Sequence, residues 1–139
     1  MTTDAPARHE PVSQPESDRY WEGARNGELW LQRDKATGEH QFYPRAFSLA
    51  TPGGELEWVK ASGNATLHTF GIVHVPPHPA FMGEIPYITA IVELEEGPKM
   101  AANIVGVDPE PENLSIGMAL KVVFTKISDD YTQPNFTPA

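Results

Sequence analysis

Hydrophobic and polar positions alternate strictly over residues 87–95. Ile88, Ala90, Val92 and Leu94 fall on one side, and Tyr87, Thr89, Ile91 and Glu93 on the other. A period of two predicts a strand with one buried face. Residues 56–61, 65–75, 99–105 and 119–126 also have strand character, with turn signals at Ser62-Gly63-Asn64 and Glu96-Gly97-Pro98. Within 65–75, Leu67, Thr69, Gly71 and Val73 share one face and His68, Phe70, Ile72 and His74 the other, and Gly71 predicts a bulge or bend. Residues 76–81 are proline-rich and predict an extended loop. Residues 131–136 offer a closing edge. Five strands with a bent first hairpin predict a mainly β fold. A small Greek-key barrel of the OB type fits, and a sandwich is the other arrangement the pattern allows.

Ahead of these strands the pattern changes. Residues 1–17 carry Pro6, Pro11 and Pro15 and no apolar period, which reads as a disordered arm. Ser17 or Asp18 is placed to cap a short helix over 19–26 that presents Tyr20, Trp21 and Ala24, and Asn26-Gly27 ends it. A helix of this length is unstable alone, so Tyr20 and Trp21 must pack on something. Residues 28–33 read as a strand, Thr37-Gly38 as a turn and 40–43 as the return strand, ended by Pro44. Residues 46–55 are loop-like around Pro52-Gly53-Gly54. The expected division is an arm at 1–17, a helix and hairpin region at 18–55 and a barrel at 56–139.

Composition narrows the functional classes. The chain has 139 residues, 40% of them hydrophobic and 21% charged, enough for one domain with a real core. Ten basic residues face 19 acidic ones, and the net charge of -9 would repel a polyanion, so nucleic acid is not the expected ligand. With no cysteine, thiol catalysis, disulfides and thiolate metal sites are excluded. No basic region precedes an apolar stretch at the N-terminus, and no run of about 18 apolar residues occurs, so neither a Sec-type signal nor a membrane span is expected. The expected location is cytoplasmic.

Several groups could carry contacts. Phe42, Tyr43 and Arg45 flank Pro44, either on a docking surface or as core aromatics of a solvated hairpin. His74, His78 and Glu84 surround the proline loop. They could form a metal or acid–base cluster, a loop lining a partner's ligand channel, or a plain surface loop. Phe81 lies at the loop's apolar tip. Arg33, Lys35, Arg45 and Lys60 could meet a ligand phosphate or an acidic partner, or be ordinary solvated charges. Residues 93–96 and 108–112 read as solvated acidic turns. No phosphate loop, Ser/His/Asp set or paired carboxylates on a helical face is present, so no catalytic residue is assigned.

Tyr20-Trp21-Glu22-Gly23, Gln41-Phe42-Tyr43-Pro44-Arg45, Leu56-Glu57-Trp58, His74-Val75-Pro76-Pro77-His78-Pro79-Ala80-Phe81, Ile85-Pro86-Tyr87 and Glu95-Glu96-Gly97-Pro98 occur in a distinctive order and spacing. In these motifs, which extend over 18–138, the chain resembles domain-of-unknown-function family thirty-five. These are acyl-CoA-associated OB-fold proteins with an N-terminal rubredoxin-like zinc ribbon. The resemblance places the four ribbon ligands at Asp34, Thr37, Ser48 and Thr51. One carboxylate and three hydroxyls cannot form a closed zinc site, and adding His40 leaves too few ligands. The expectation is a degenerate, metal-free ribbon with no cofactor.

The resemblance implies a non-catalytic accessory subunit of a thiolase-fold acyl-CoA complex. The partner would be a thiolase-like or lipid-transfer-protein-like aldolase subunit, in a heterotetramer with two copies of each chain. A steroid side-chain retro-aldolase is the favoured form. Tyr20, Trp21, Phe42, Tyr43, Arg45, His74, His78 and Phe81 are then the contact candidates for partner or acyl-CoA. The alternative is a stand-alone OB module that binds acyl-CoA or a similar small ligand.

Overall fold

The computed structural model describes residues 10–139. Residues 1–9 of the expected arm lie outside the described residues. The chain is already organised at Gln14, whose carbonyl accepts the Ser17 and Asp18 amides at 2.8 and 2.9 Å. Helix α1 (Asp18–Arg25) follows, with Ser17 at the N-cap position and Asn26 at the C-cap. Ser17 makes no side-chain cap. Its buried hydroxyl instead accepts the Gln14 N–H at 3.0 Å. Gly27, at φ 75°, then turns the chain out of the helix.

Strands β1 (Trp30–Asp34), β2 (His40–Gln41) and β3 (Leu56–Lys60) form a three-stranded antiparallel sheet in the order β2-β1-β3. This corrects the expected position of the 56–61 strand, which does not enter the barrel. It pairs with β1 from Trp30↔Lys60 to Asp34↔Leu56. Alternation identifies a strand but not its neighbour, and β1 offers an open edge beside it.

The barrel is β4 (Asn64–Val73), β5 (Tyr87–Leu94), β6 (Lys99–Ile104), β8 (Thr132–Pro138) and β7 (Ala119–Lys126), and β7 closes on β4. The closing edge expected at 131–136 is thus a full barrel strand. β8 is antiparallel to β7 from Leu120↔Pro138 to Lys126↔Thr132 and touches β6 in parallel at Ile104↔Phe136. This five-stranded closure is the OB topology.

The irregularity in β4 lies at His68, not at Gly71. Leu67 pairs with Val92 and Thr69 with Ile91, so His68 is the extra residue. The insertion reverses the strand's facing: Ala65 and Leu67 are buried before it, and Phe70 and Ile72 pack on the core after it.

β5 follows its predicted alternation, with Ile88, Ala90, Val92 and Leu94 all buried. Phe136 and Val92 are fully enclosed. Each such side chain contributes on the order of 1.5–3 kcal/mol by leaving water. Exposed ion pairs such as Lys35–Glu55, at 3.4 Å, contribute about 0–1 kcal/mol, so burial dominates. Tyr20, Leu29 and Leu31 belong to the same buried cluster as the barrel residues. Helix, ribbon sheet and barrel therefore share one core.

Candidate functional site

Four of the residues singled out in the sequence meet at the junction of α1, the ribbon and the barrel. The short helix turns Tyr20 inward and leaves Trp21 half-buried beside it. Their rings lie edge to face, 4.8 Å apart. Phe42 and Tyr43, just past β2, approach Tyr20 at 5.5 and 5.7 Å between ring centroids. The Trp21 indole N–H donates to the Tyr43 hydroxyl at 3.0 Å. Tyr131, from the turn before β8, closes the group at 5.7 Å from Trp21. Burial pushes the Tyr20 phenol above its ordinary pKa, and the Tyr43 and Tyr131 phenols add to the effect. It stays a neutral hydroxyl.

These rings line a cleft of about 370 Å³ that also receives Met100 from β6. Tyr43 remains 40% exposed at its rim, and Phe47 and Leu49 on the chain segment that follows are exposed as well. Large aromatics held rigidly, with polar tips at the surface, suit a contact surface.

A second cleft, of about 350 Å³, opens on the adjoining barrel face, between the proline loop and the start of β8. The loop is not simply extended. It contains a 3-10 turn at Pro79–Phe81, capped by His78, whose Nδ1 accepts the Ala80 N–H at 3.0 Å. Phe81 packs on Tyr87 at 5.8 Å. A polar chain runs from the aromatic cleft into this one. Tyr131 Oη donates to Gln133 Oε1 at 3.1 Å, Gln133 Nε2 to Asn135 Oδ1 at 2.8 Å, and Asn135 Nδ2 to Thr125 Oγ1 at 3.0 Å. Gln133 and Asn103 line both clefts. The sequence reading missed Gln133 and Asn135. The only available signal was an amide at every second residue of an edge segment.

Other candidates lie apart. His74 is exposed beyond the end of β4. Among the described residues no three His, Cys, Asp or Glu side chains group as metal ligands, so His74, His78 and Glu84 form no metal cluster. The basic patch is largely matched by carboxylates: Arg33–Glu57 at 3.9 Å, Lys35–Glu55 at 3.4 Å and Lys60–Glu28 at 3.1 Å. The Lys60 ammonium, helped by the Trp30 N–H, holds the Glu28 carboxyl below its usual range. Arg45 is exposed, but its backbone is fixed. Its N–H donates to Gln32 Oε1 at 2.8 Å, and its carbonyl accepts Gln32 Nε2 at 2.7 Å.

That clamp belongs to a buried polar layer in the ribbon. Gln32 and Gln41 are cross-strand partners, and Gln41 Nε2 donates to Gln32 Oε1 at 2.9 Å and to the Phe47 carbonyl at 3.1 Å. Gln41 Oε1 accepts the Leu49 N–H at 3.0 Å. Asp34, two residues beyond Gln32, is 1% exposed. Its Oδ1 accepts the Ala36 and Thr37 amides at 2.8 and 2.9 Å, and Oδ2 accepts the Ser48 hydroxyl at 2.5 Å. The Ser48 oxygen in turn accepts the Ala50 and Thr51 amides at 3.1 and 3.2 Å.

The fold is an OB barrel carrying a zinc-ribbon-like sheet and helix, with an aromatic cleft where the parts join. The chain matches the model of the ChsH2 C-terminal OB-fold domain over residues 58–125 and that of the ChsH2 rubredoxin-like zinc ribbon domain over residues 21–47. It is 33% identical over 112 residues to a DUF35 domain-containing scaffold protein of Pyrococcus furiosus, covering 80% of this chain and 79% of that protein. The solved structure of the Ltp2-ChsH2(DUF35) aldolase contains a chain with 30% identity and a TM-score of 0.80, over 92% of this chain and 98% of that one. The chain belongs to the DUF35 family.

A probable enoyl-CoA hydratase alpha subunit of Thermomonospora curvata is 38% identical over 88 residues, which cover 62% of this chain and 26% of that subunit. The chain spans from about a quarter to about half the length of several curated relatives it matches. Among the described residues no helix is long and apolar enough to cross a membrane.

Proposed function

We propose that this chain is a non-catalytic accessory subunit of an acyl-CoA enzyme complex with a thiolase-fold partner. The observation that carries the reading is the likeness, over nearly the whole length of both chains, to the DUF35-type chain of the Ltp2-ChsH2 aldolase. The steroid-type retro-aldolase is the favoured reaction: an aldol C–C bond of a branched acyl-CoA breaks to a ketone and a shorter CoA ester. All catalytic groups lie on the partner, and two copies of each chain assemble in the cytoplasm.

In this reading Trp21, Phe42 and Tyr43 form the docking surface. The aromatic rim supports that role because its rings pack on one another and are partly exposed, and Phe47 and Leu49 shortly after it in the chain are exposed too. His78 and Phe81 shape the loop beside the second cleft, where the Tyr131–Gln133–Asn135–Thr125 chain offers amide and hydroxyl groups to the polar part of a CoA ester. Arg45 and His74 lie nearer the margin and are left to phosphate or rim contacts.

Assay of the partner with and without this chain tests the reading. Ketone release is expected only when both chains are present. Equal release from the partner alone contradicts it. A second reading, association with a hydratase, rests on the likeness to the hydratase alpha subunit. It predicts that addition of water across the double bond of an enoyl-CoA, rather than cleavage, depends on this chain.

A further inference from the structure

We propose that the ribbon is closed by an anion-centred crosslink, the Asp34 carboxylate, which takes the place of a metal ion and lets this ribbon fold without zinc. The inference is independent of the proposed function.

The donor set does not fit zinc. Of the four ribbon positions, Thr37 is exposed, and its hydroxyl oxygen accepts the Glu39 N–H at 3.2 Å. Ser48 and Thr51 offer neutral hydroxyls, which are poor zinc ligands without deprotonation. Asp34 is the one anion of the set. A carboxylate has about four lone-pair sites. Here three are filled, by the Ala36 and Thr37 amides and the Ser48 hydroxyl. A metal at this position would have to displace those bonds.

The same bonds do what two metal-bound knuckles do in a ribbon. Asp34 gathers the amides of the first knuckle, as a bound thiolate would. Ser48 gathers those of the second, through Ala50 and Thr51. The 2.5 Å Ser48–Asp34 bond then ties one knuckle to the other across 14 residues. The loop is also shaped to close on the carboxylate. A Cβ on Gly54 would lie 3.0 Å from Asp34 Oδ2 and 2.8 Å from Thr51 Cβ. Glycine at 54 is therefore what lets the 51–54 turn cover the anion. Gln32 and Gln41 extend the polar layer, so the loop over 45–51 is held by two side-chain amides, the Ser48 hydroxyl and one carboxylate.

The test uses the full chain produced in zinc-supplemented medium. Zinc content is measured by plasma mass spectrometry, and the thermal midpoint is measured with EDTA, with added zinc chloride and with neither. Substoichiometric zinc and a midpoint unmoved by either addition are expected. Ser48→Ala and Asp34→Asn should each lower the midpoint by about 3 °C or more, without zinc rescue. Ser48→Ala removes a single donor and keeps the test usable if Asp34→Asn fails to fold. Stoichiometric zinc that EDTA strips with a fall in midpoint would overturn the proposal. So would Ser48→Ala and Asp34→Asn chains that both melt with the parent.

Discussion

The indole N–H of Trp21 donates to the phenolic oxygen of Tyr43 at 3.0 Å, joining helix α1 to the ribbon 22 residues further along the chain. Neither side chain is fully buried. Both rings pack on Tyr20, which anchors them in the barrel core. The pair is therefore rigidly mounted and still reachable from outside.

Replacing Tyr43 separates its two roles. Tyr43→Phe loses one exposed hydrogen bond and should cost no more than about 1 kcal/mol of stability. Tyr43→Ala removes the ring from the rim and should weaken assembly with the partner about tenfold or more while the isolated chain stays folded. Denaturant titration and surface-immobilised binding read the two effects separately.

Phe136 is the load on the barrel's closing strand. It is fully enclosed between β6 and β7, pairing with Ile104 and Val122. Phe136→Ala should destabilise the chain by about 3–5 kcal/mol through lost burial and a cavity. Urea unfolding followed by tryptophan fluorescence measures this.

The Gln32 clamp gives a local prediction. Gln32→Ala leaves the Arg45 N–H and one Gln41 donor without their partner. The expected cost is about 1–3 kcal/mol. Amide hydrogen exchange should rise at Arg45 before it rises in the barrel strands.

Acid should act on the ribbon through Asp34. The Ser48 hydroxyl first, then the Thr37 amide, holds its carboxyl at about 2, below an ordinary value of 3.8. A folded pKa below the unfolded one means that the unfolded chain takes up the proton first. The stabilisation is thus complete above pH about 4 and is lost as pH falls toward about 2. Urea midpoints of the parent chain and Asp34→Asn should differ at pH 6 and converge near pH 2.

What the sequence disclosed follows from where one face is buried. The β5 alternation was legible because Ile88, Ala90, Val92 and Leu94 all meet the core, and the turns at Gly63 and Gly97 announced themselves by residue type. The partner of β3 was not legible, since period two carries no information about neighbours. β8 was legible only as a closing edge over 131–136, because Pro134 and Pro138 argue against a full strand, yet β8 tolerates them while pairing with β7.

The bulge at His68 was misplaced to Gly71 because glycine is the local signal, whereas the actual cause is register against Leu67–Val92 and Thr69–Ile91. Tyr20 and Trp21 stood out on a helix too short to be stable alone, and Phe42 and Tyr43 as aromatics that a small ribbon cannot bury. Their meeting point required the fold. Gln32, Gln41, Gln133 and Asn135 look in sequence like solvent-facing strand residues. In the fold the loop after β2 covers Gln32 and Gln41, while Gln133 and Asn135 line the second cleft.

The proposed function turns on association with a thiolase-fold partner. Co-expression with the thiolase-fold protein of the same organism, followed by size exclusion with light scattering, tests it most directly. One peak containing both chains at the mass of two copies of each is expected, and its loss with Tyr43→Ala. Separate elution of two folded chains would rule out the proposed role.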